Sequence, residues 1–274
     1  MLQRRSPLLV VVLASAAIAL ALLAIGPAFW LLAVAASDST VPLNQLPRPA
    51  QLTMHNFRSA WTGGSLFRPF VNSLIVTLVQ ATLNVLLAAL AAYPLARMSF
   101  RGRDAIFVLI LATLMIPEQV VVVPLFRTVV NLGLYDTLAA VVIPFAVSAF
   151  GIYLCRQAFV SIPKELEEAA QIDGASALTT WRQVMLPLAA PTLATLFVFS
   201  VIGAWSNLLW PLIVLQEQHN YTLPVALNQL LGVFATNVRY AYAASVLALI
   251  PMIVVYVAMQ RWLQRGLLAG AVKG

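Results

Sequence analysis

The chain has 274 residues, 62% of them hydrophobic and only 9% charged, whereas soluble domains carry roughly 25% charged residues; this excludes an ordinary soluble fold and describes a polytopic membrane protein. The net charge of +7 does not mark a nucleic-acid binder, because the basic residues sit at the ends of apolar runs and form no stripe. A single cysteine, Cys155, excludes an internal disulfide and a multi-cysteine metal site, which leaves packing as its role.

In chain order, Arg4 and Arg5 precede an apolar run from Leu8 to Val34. The run exceeds the 7 to 15 apolar residues of a signal peptide, so it reads as a retained transmembrane helix with a candidate bend at Gly26-Pro27, a signal cleaved near Ala33-Val34-Ala35-Ala36 being the minor alternative. Asp38 to Arg68 is a polar connection without recognisable chemistry and reads as an external loop. Apolar runs recur at Val71 to Ala96, Ala105 to Phe126, Leu138 to Cys155, Leu188 to Leu215 and Ala241 to Leu263. Six transmembrane helices are therefore expected, several kinked or divided by proline, the third interrupted at Pro117-Glu118. The expected fold class is an all-α integral membrane protein. Its organisation is a first helix and external loop (1–70), a transmembrane core (71–263) and a short tail (264–274).

The basic residues set an expected orientation. With the N-terminus inside, eleven (Arg4, Arg5, Arg97, Arg101, Arg103, Arg156, Lys164, Arg182, Arg261, Arg265, Lys273) fall on cytoplasmic segments. Five (Arg48, Arg58, Arg68, Arg127, Arg239) fall outside. This positive-inside bias puts both termini in the cytoplasm. It also puts there the most polar stretch of the chain, Ile162 to Pro191, between helices four and five.

That stretch holds Glu165, Glu167, Glu168 and Asp173, four of the nine acidic residues. Ser161 can cap a helix with Pro163 in its first turn, where a missing N–H costs nothing and Glu165 suits the positive helix end. Asp173-Gly174 ends the helix, glycine taking the left-handed conformation common there, and Ala175-Ser176 can start another segment. A helix of about ten residues is roughly 15 Å long, too short for a bilayer of about 30 Å, so it lies at the membrane surface. Leu166, Ala169 and Ala170 share a shallow apolar face, with Glu167 and Glu168 turned from its centre. This suits a docked protein partner or an amphipathic helix resting on lipid, although its acids speak against lipid.

Glu168-Ala169-Ala170, Asp173-Gly174, Leu186-Pro187 and Pro191 together resemble the EAA loop of the membrane-spanning subunits of bacterial ABC importers. Tyr93-Pro94-Leu95-Ala96-Arg97 with Phe100-Arg101-Gly102-Arg103, Met115-Ile116-Pro117 with Pro124, and the ending Gly266 to Gly274 resemble its carbohydrate-uptake branch, of the maltose and glycerol-3-phosphate permease type. The resemblance covers roughly Asn72 to Gly274. It implies a type I ABC importer transmembrane fold in a prokaryotic inner membrane, with the loop (161–187) as a coupling helix docked in a groove of a cytoplasmic ATPase. Glu168, Ala169, Ala170, Asp173 and Gly174 would carry that coupling. The implied partners are a second homologous permease, two ABC ATPase subunits, an extracytoplasmic solute-binding protein and a small hydroxylated solute. Relatives would read Trp-Asn where this chain has Trp205-Ser206-Asn207, which departs from the pattern at Asn207.

The residues agree that this chain does not power itself. A phosphate-binding P-loop needs glycine before its lysine, but Lys164 follows a proline and Lys273 a valine. No cofactor is expected on this chain, and ATP and Mg would belong to the partner ATPase. Ser73, Thr77, Gln80 and Asn84 form a polar stripe on the second helix that either faces a solute path or joins helices. Ser200, Gly203, Asn207 and Trp210 share a face of the fifth, where an aromatic beside polar groups suits a sugar ring and a small-residue face suits a helix contact. Glu118, costly in an apolar run, either lines the path or reaches water at a helix break. An ion-driven secondary transporter is the alternative; it calls for paired ionisable groups near the midplane, for which Glu118 is the one candidate. No Ser/His/Asp set supports an intramembrane enzyme, and His55 and His219 lack a ligand-spaced partner for a metal.

Overall fold

The computed structural model describes residues 7–63, 66–233 and 238–271; Arg4, Arg5 and Lys273 of the charge count lie outside them. The described residues are helical apart from turns and one isolated antiparallel bridge, Ser37 with Leu52. Three helices are long and apolar enough to cross a membrane singly, and three further pairs qualify as bent spans, matching the six expected runs. The chain divides into two compact units, Met1–Phe67 with Leu227–Ile250, and Arg68–Ala226 with Pro251–Gly274.

In the first unit α1 (Pro7–Ala35) runs through Gly26-Pro27 as one helix. From Leu9 to Leu32 its side chains are almost all apolar and exposed, as a lipid-facing span requires. The segment after it is more folded than its composition suggested. Asn56 Nδ2 donates to the carbonyls of Ala35 and Ser37, each at 2.8 Å, and caps the end of α1. Arg239 Nε donates to Ser37 Oγ at 3.0 Å, and its guanidinium also reaches the Val41 carbonyl. The first of the Asn56 bonds satisfies a helix-end carbonyl that would otherwise lack a partner, and the Arg239 bonds hold the segment that follows.

The second unit is strung along α2 (Phe67–Arg97). Nearer its C-terminus Ala88, Ala89 and Ala92 give close approach to Cys155, Phe159, Met185 and Leu196 in one apolar cluster. Nearer its N-terminus Val76 joins Val129, Val141, Trp210 and Val214 in a second. Between them lies Asn84, 7% exposed. The α3 (Arg103–Ala112) and α4 (Glu118–Asn131) pieces are bent by 103° at the predicted interruption. Pro117 is the N-cap of α4, and a proline keeps the residue before it out of helical geometry. The fourth run also divides, into α5 (Leu138–Val142) and α6 (Ala149–Ser161), with the Ser148 hydroxyl accepting from the Gly151 amide at 3.0 Å.

The fifth run, expected from Leu188 to Leu215 among runs that proline kinks or divides, also divides. Its pieces are α8 (Ala190–Ser206) and α9 (Leu209–Val214), because Asn207 adopts an extended backbone and its carboxamide oxygen accepts from the Trp210 amide at 3.4 Å. Asn and Asp side chains commonly replace a backbone partner where a helix breaks. The sixth run is longer than expected: after α10 (Leu223–Val233), α11 spans Val238–Ala271 and carries helical backbone into the predicted tail.

At the other end of α2 from Arg97, Asp136 takes the left-handed conformation, φ 59°. Its carboxylate accepts from the amides of Gln216 and Glu217 at 2.9 and 3.2 Å, and its carbonyl accepts from Asn220 Nδ2. Desolvation would raise the Asp136 pKa, but these bonds and His219 outweigh it and hold the carboxyl below its usual range. Asp136→Ala removes the acceptor and adds strain, and is expected to expose the 132–137 and 215–221 loops to limited proteolysis. Asp136→Asn keeps an acceptor and tolerates the left-handed backbone, so it is expected to resist cleavage nearly as the native chain does.

Candidate functional site

The polar loop forms α7 (Lys164–Ile172). Ser161 is not its cap: it closes α6, with its hydroxyl donating to the Ala158 carbonyl, and Pro163 holds the N-cap position. Gly174 ends the helix as expected, at φ 82°. The Ala175 amide donates to Ala170 O at 2.9 Å and the Gly174 amide to Gln171 O at 3.0 Å. This pair of bonds is a Schellman motif, which needs a residue in the left-handed region at the Gly174 position. Ser176 then caps the next helical segment through the Thr179 amide.

The faces of α7 are rotated from the expectation. Glu168 and Ala169 are exposed, and Ile172 is 86% exposed, so with Glu165 they make an outward ridge at i, i+3, i+4 and i+7 spacing. Glu168 therefore belongs to the ridge, while Ala170 is half-buried. Leu178 extends the apolar surface, 65% exposed. Behind the helix end a notch of about 430 Å³ is lined by Ala170, Asp173, Gly174, Thr180 and Gln183. Glu167 turns the other way, into the protein. Its Oε1 accepts from the Tyr93 hydroxyl at 2.9 Å and its Oε2 lies 3.5 Å from Arg97 Nε. The structure thus adds Tyr93, Arg97, Glu167, Ile172 and Leu178 to the residues chosen from sequence. Tyr93 and Arg97 stand four apart at the end of an apolar helix, which is the sequence signal that they share a face.

The proposed path residues part company. Asn84 Nδ2 donates to Ser200 Oγ at 2.9 Å, and its Oδ1 accepts from the amide and hydroxyl of Ser148 at 2.9 and 3.1 Å. Its carboxamide therefore joins α2 to α6 and α8, as the helix-joining reading of the stripe required; Ser73 similarly accepts from the Leu223 amide at 2.7 Å. Gln80 and Asn207 are half-buried. Trp210 is fully buried, with its indole N–H donating to the Ala140 carbonyl at 2.9 Å and its ring edge-on to Phe145. It presents no ring face to a solute in this conformation, and the break at Asn207 removes it from the face of Ser200 and Gly203. Glu118 is exposed in the first turn of α4, a position that favours an acid through the helix dipole. Asn84→Ala is expected to lower stability in detergent by about 1–2 kcal/mol, since interhelical hydrogen bonds in membranes contribute roughly 0.6 kcal/mol each; a melting curve checks it.

Six apolar spans, a polar spine used for helix joining and one short helix held outward by its own anchor define a membrane-spanning transport subunit. The chain belongs to the family of binding-protein-dependent transport system inner membrane components, whose model matches residues 84–268. It is 34% identical over 260 residues to the arabinooligosaccharides transport system permease protein AraQ of Bacillus subtilis, covering 93% of this chain and 92% of that one. It is 35% identical over 246 residues to the sn-glycerol-3-phosphate transport system permease protein UgpE of Rhizobium meliloti, covering 85% and 87%. The crystal structure of a bacterial ABC transporter involved in the import of the acidic polysaccharide alginate superposes with a TM-score of 0.83 at 25% identity, over 95% of this chain and 98% of that one. The resemblance drawn from the loop and from the carbohydrate-uptake motifs is borne out, and the fold is that of a type I ABC importer permease. The ion-driven alternative finds no support.

Proposed function

We propose that this chain forms half of the transmembrane pathway of a prokaryotic inner-membrane importer for a sugar, oligosaccharide or polyol derivative. A second homologous permease completes the pathway, and an extracytoplasmic binding protein delivers the solute. Two ABC ATPases bind and hydrolyse MgATP in the cytoplasm, where both termini of this chain also lie. The observation that carries this reading is the outward ridge Glu165, Glu168, Ala169 and Ile172 on a helix too short to span, pinned on its inner side by Glu167. An exposed isoleucine among acids suits a protein groove better than lipid, since interfacial helices favour Lys and Arg.

Glu168, Ala169, Ala170, Asp173 and Gly174 act in the coupling, the first two by contact and the last by aiming the helix. ATP binding draws the ATPases together, the ridge moves with them and the helices reorient between inward and outward access. Gln80, Asn207 and Glu118 remain the residues with side-chain surface to offer a solute path. The relatives' solutes include arabino-oligosaccharides and glycerol phosphate, which supports a hydroxylated solute class. The deciding experiment is to tag the chain in its native membrane, extract it gently and identify its companions by mass spectrometry. An ABC ATPase and a second permease are expected. Recovery as a homo-oligomer alone, under conditions that keep other importers whole, would overturn the proposal.

A further inference from the structure

Glu167 and Glu168 are neighbours in sequence and point opposite ways, so the two acids of α7 do different work. Glu168 is exposed, whereas Glu167 is drawn to the end of α2, a helix about seventy residues away in sequence with no direct chain connection to the loop. Arg97 is the hub: its side chain is 4% exposed, against 13% for Glu167. Its Nη2 donates to the Phe159 carbonyl at 2.7 Å and to the Ile162 carbonyl, while Nε faces Glu167. One guanidinium thus ties the last turn of α6, the linker after it and α7 to α2, and the Tyr93 hydroxyl adds a second hold on Glu167. The Trp181 indole N–H, donating to Ala89 O at 3.3 Å, ties the far side of the loop to the same helix.

We propose that Tyr93, Arg97 and Glu167 are positioning residues that form the joint through which the motion of α7 enters the membrane core, with α2 as the driven element. The proposal rests on the reading of the outer ridge as the ATPase-facing surface. A partly buried ion pair adds little net stability over apolar packing, but it fixes geometry, since removing one partner strands the other. Arg97 and Asn84 are thirteen residues apart, about 20 Å along the helix at 1.5 Å per residue. Asn84 grips both Ser148 and Ser200, so displacing the Arg97 end of α2 carries α6 and α8 with it. The chain connections from α7 to α6 and toward α8 are a proline-led link and a glycine turn; the side-chain joint supplies the stiffness they lack.

The test uses the whole importer, with its ATPases and binding protein, in proteoliposomes loaded to report solute moved per ATP hydrolysed. Glu167→Ala is expected to retain ATPase capture and hydrolysis while solute per ATP falls about tenfold, within the usual range of coupling between distant sites. Glu167→Gln, which still accepts from Tyr93, is expected to recover part of that loss. Tyr93→Phe, which removes a single hydroxyl and keeps the ring, is expected to lower the ratio about two- to threefold, the effect of one hydrogen bond. An unchanged ratio in Glu167→Ala and Tyr93→Phe overturns the joint, and so does equal loss of assembly in the Ala and Gln variants, which marks a merely structural role. Glu168→Lys and Ile172→Glu, run in parallel, separate the two readings. If those two leave ATPase capture intact, the ridge assignment itself falls; if they abolish capture while the Glu167 variants stay coupled, only the joint falls.

Discussion

Gly174→Val is expected to abolish uptake while leaving the chain in the membrane at its normal level. The residue sits at φ 82°, where an L-residue costs roughly 1–2 kcal/mol and a β-branched one more. A Cβ there would meet no neighbouring element within 4 Å, so the penalty comes from the local backbone conformation and not from a collision of the Cβ with packed neighbours. The cheapest escape is for the chain to leave the left-handed region, which breaks the Ala175 to Ala170 bond and re-aims α7. Because the helix end lies outside both apolar clusters, insertion and core packing are untouched. Gly174→Asn, which tolerates the left-handed region, is expected to recover much of the uptake. Uptake assays normalised to membrane content check both variants, and normal transport by the valine variant would count against the role of the turn.

Trp210→Ala is expected to lower stability by about 3–5 kcal/mol, the usual cost of emptying a large aromatic site. Among the described residues of the second unit Trp210 is the largest fully buried side chain, and the substitution also strands the Ala140 carbonyl. Trp210→Phe keeps a ring and loses the N–H, for an expected cost of about 1–3 kcal/mol. The pair distinguishes a core residue from a sugar platform. A core role lowers the unfolding midpoint in both variants and leaves the apparent KM for solute unchanged in Trp210→Phe; a platform role raises KM with little change in the midpoint.

The loop was legible because its signals are local. A glycine after Asp173, a serine at 176 and a run of helix formers from Lys164 dictate where α7 stops and where the next segment starts, through backbone preferences that act within one turn. The start was misread for the same reason: Ser161 is a good cap in isolation, but α6 runs on through it. Which way each acid of α7 points was not legible. Helical periodicity places Glu167 and Glu168 about 100° apart, yet it does not say which side another helix will occupy, and the answer came from Tyr93 and Arg97 on a distant stretch.

The same division holds for the candidate path. Spacing alone put Ser73, Thr77 and Asn84 on one side of α2, and the structure keeps them there, buried against other helices of this chain. It could not tell a helix joint from a solute surface, since both demand polar groups turned from lipid. For Trp210 it did not foresee the break at Asn207, which depends on a carboxamide finding a local amide, nor an indole finding the carbonyl of Ala140, a residue seventy positions away. By itself the sequence determined the membrane class, the six apolar runs, the absence of a P-loop lysine and the outline of the polar loop, all set by composition, short-range backbone preference and motif. The tertiary structure alone decided which polar groups are spent holding helices together and which stay outward, because that depends on partners contributed by distant segments.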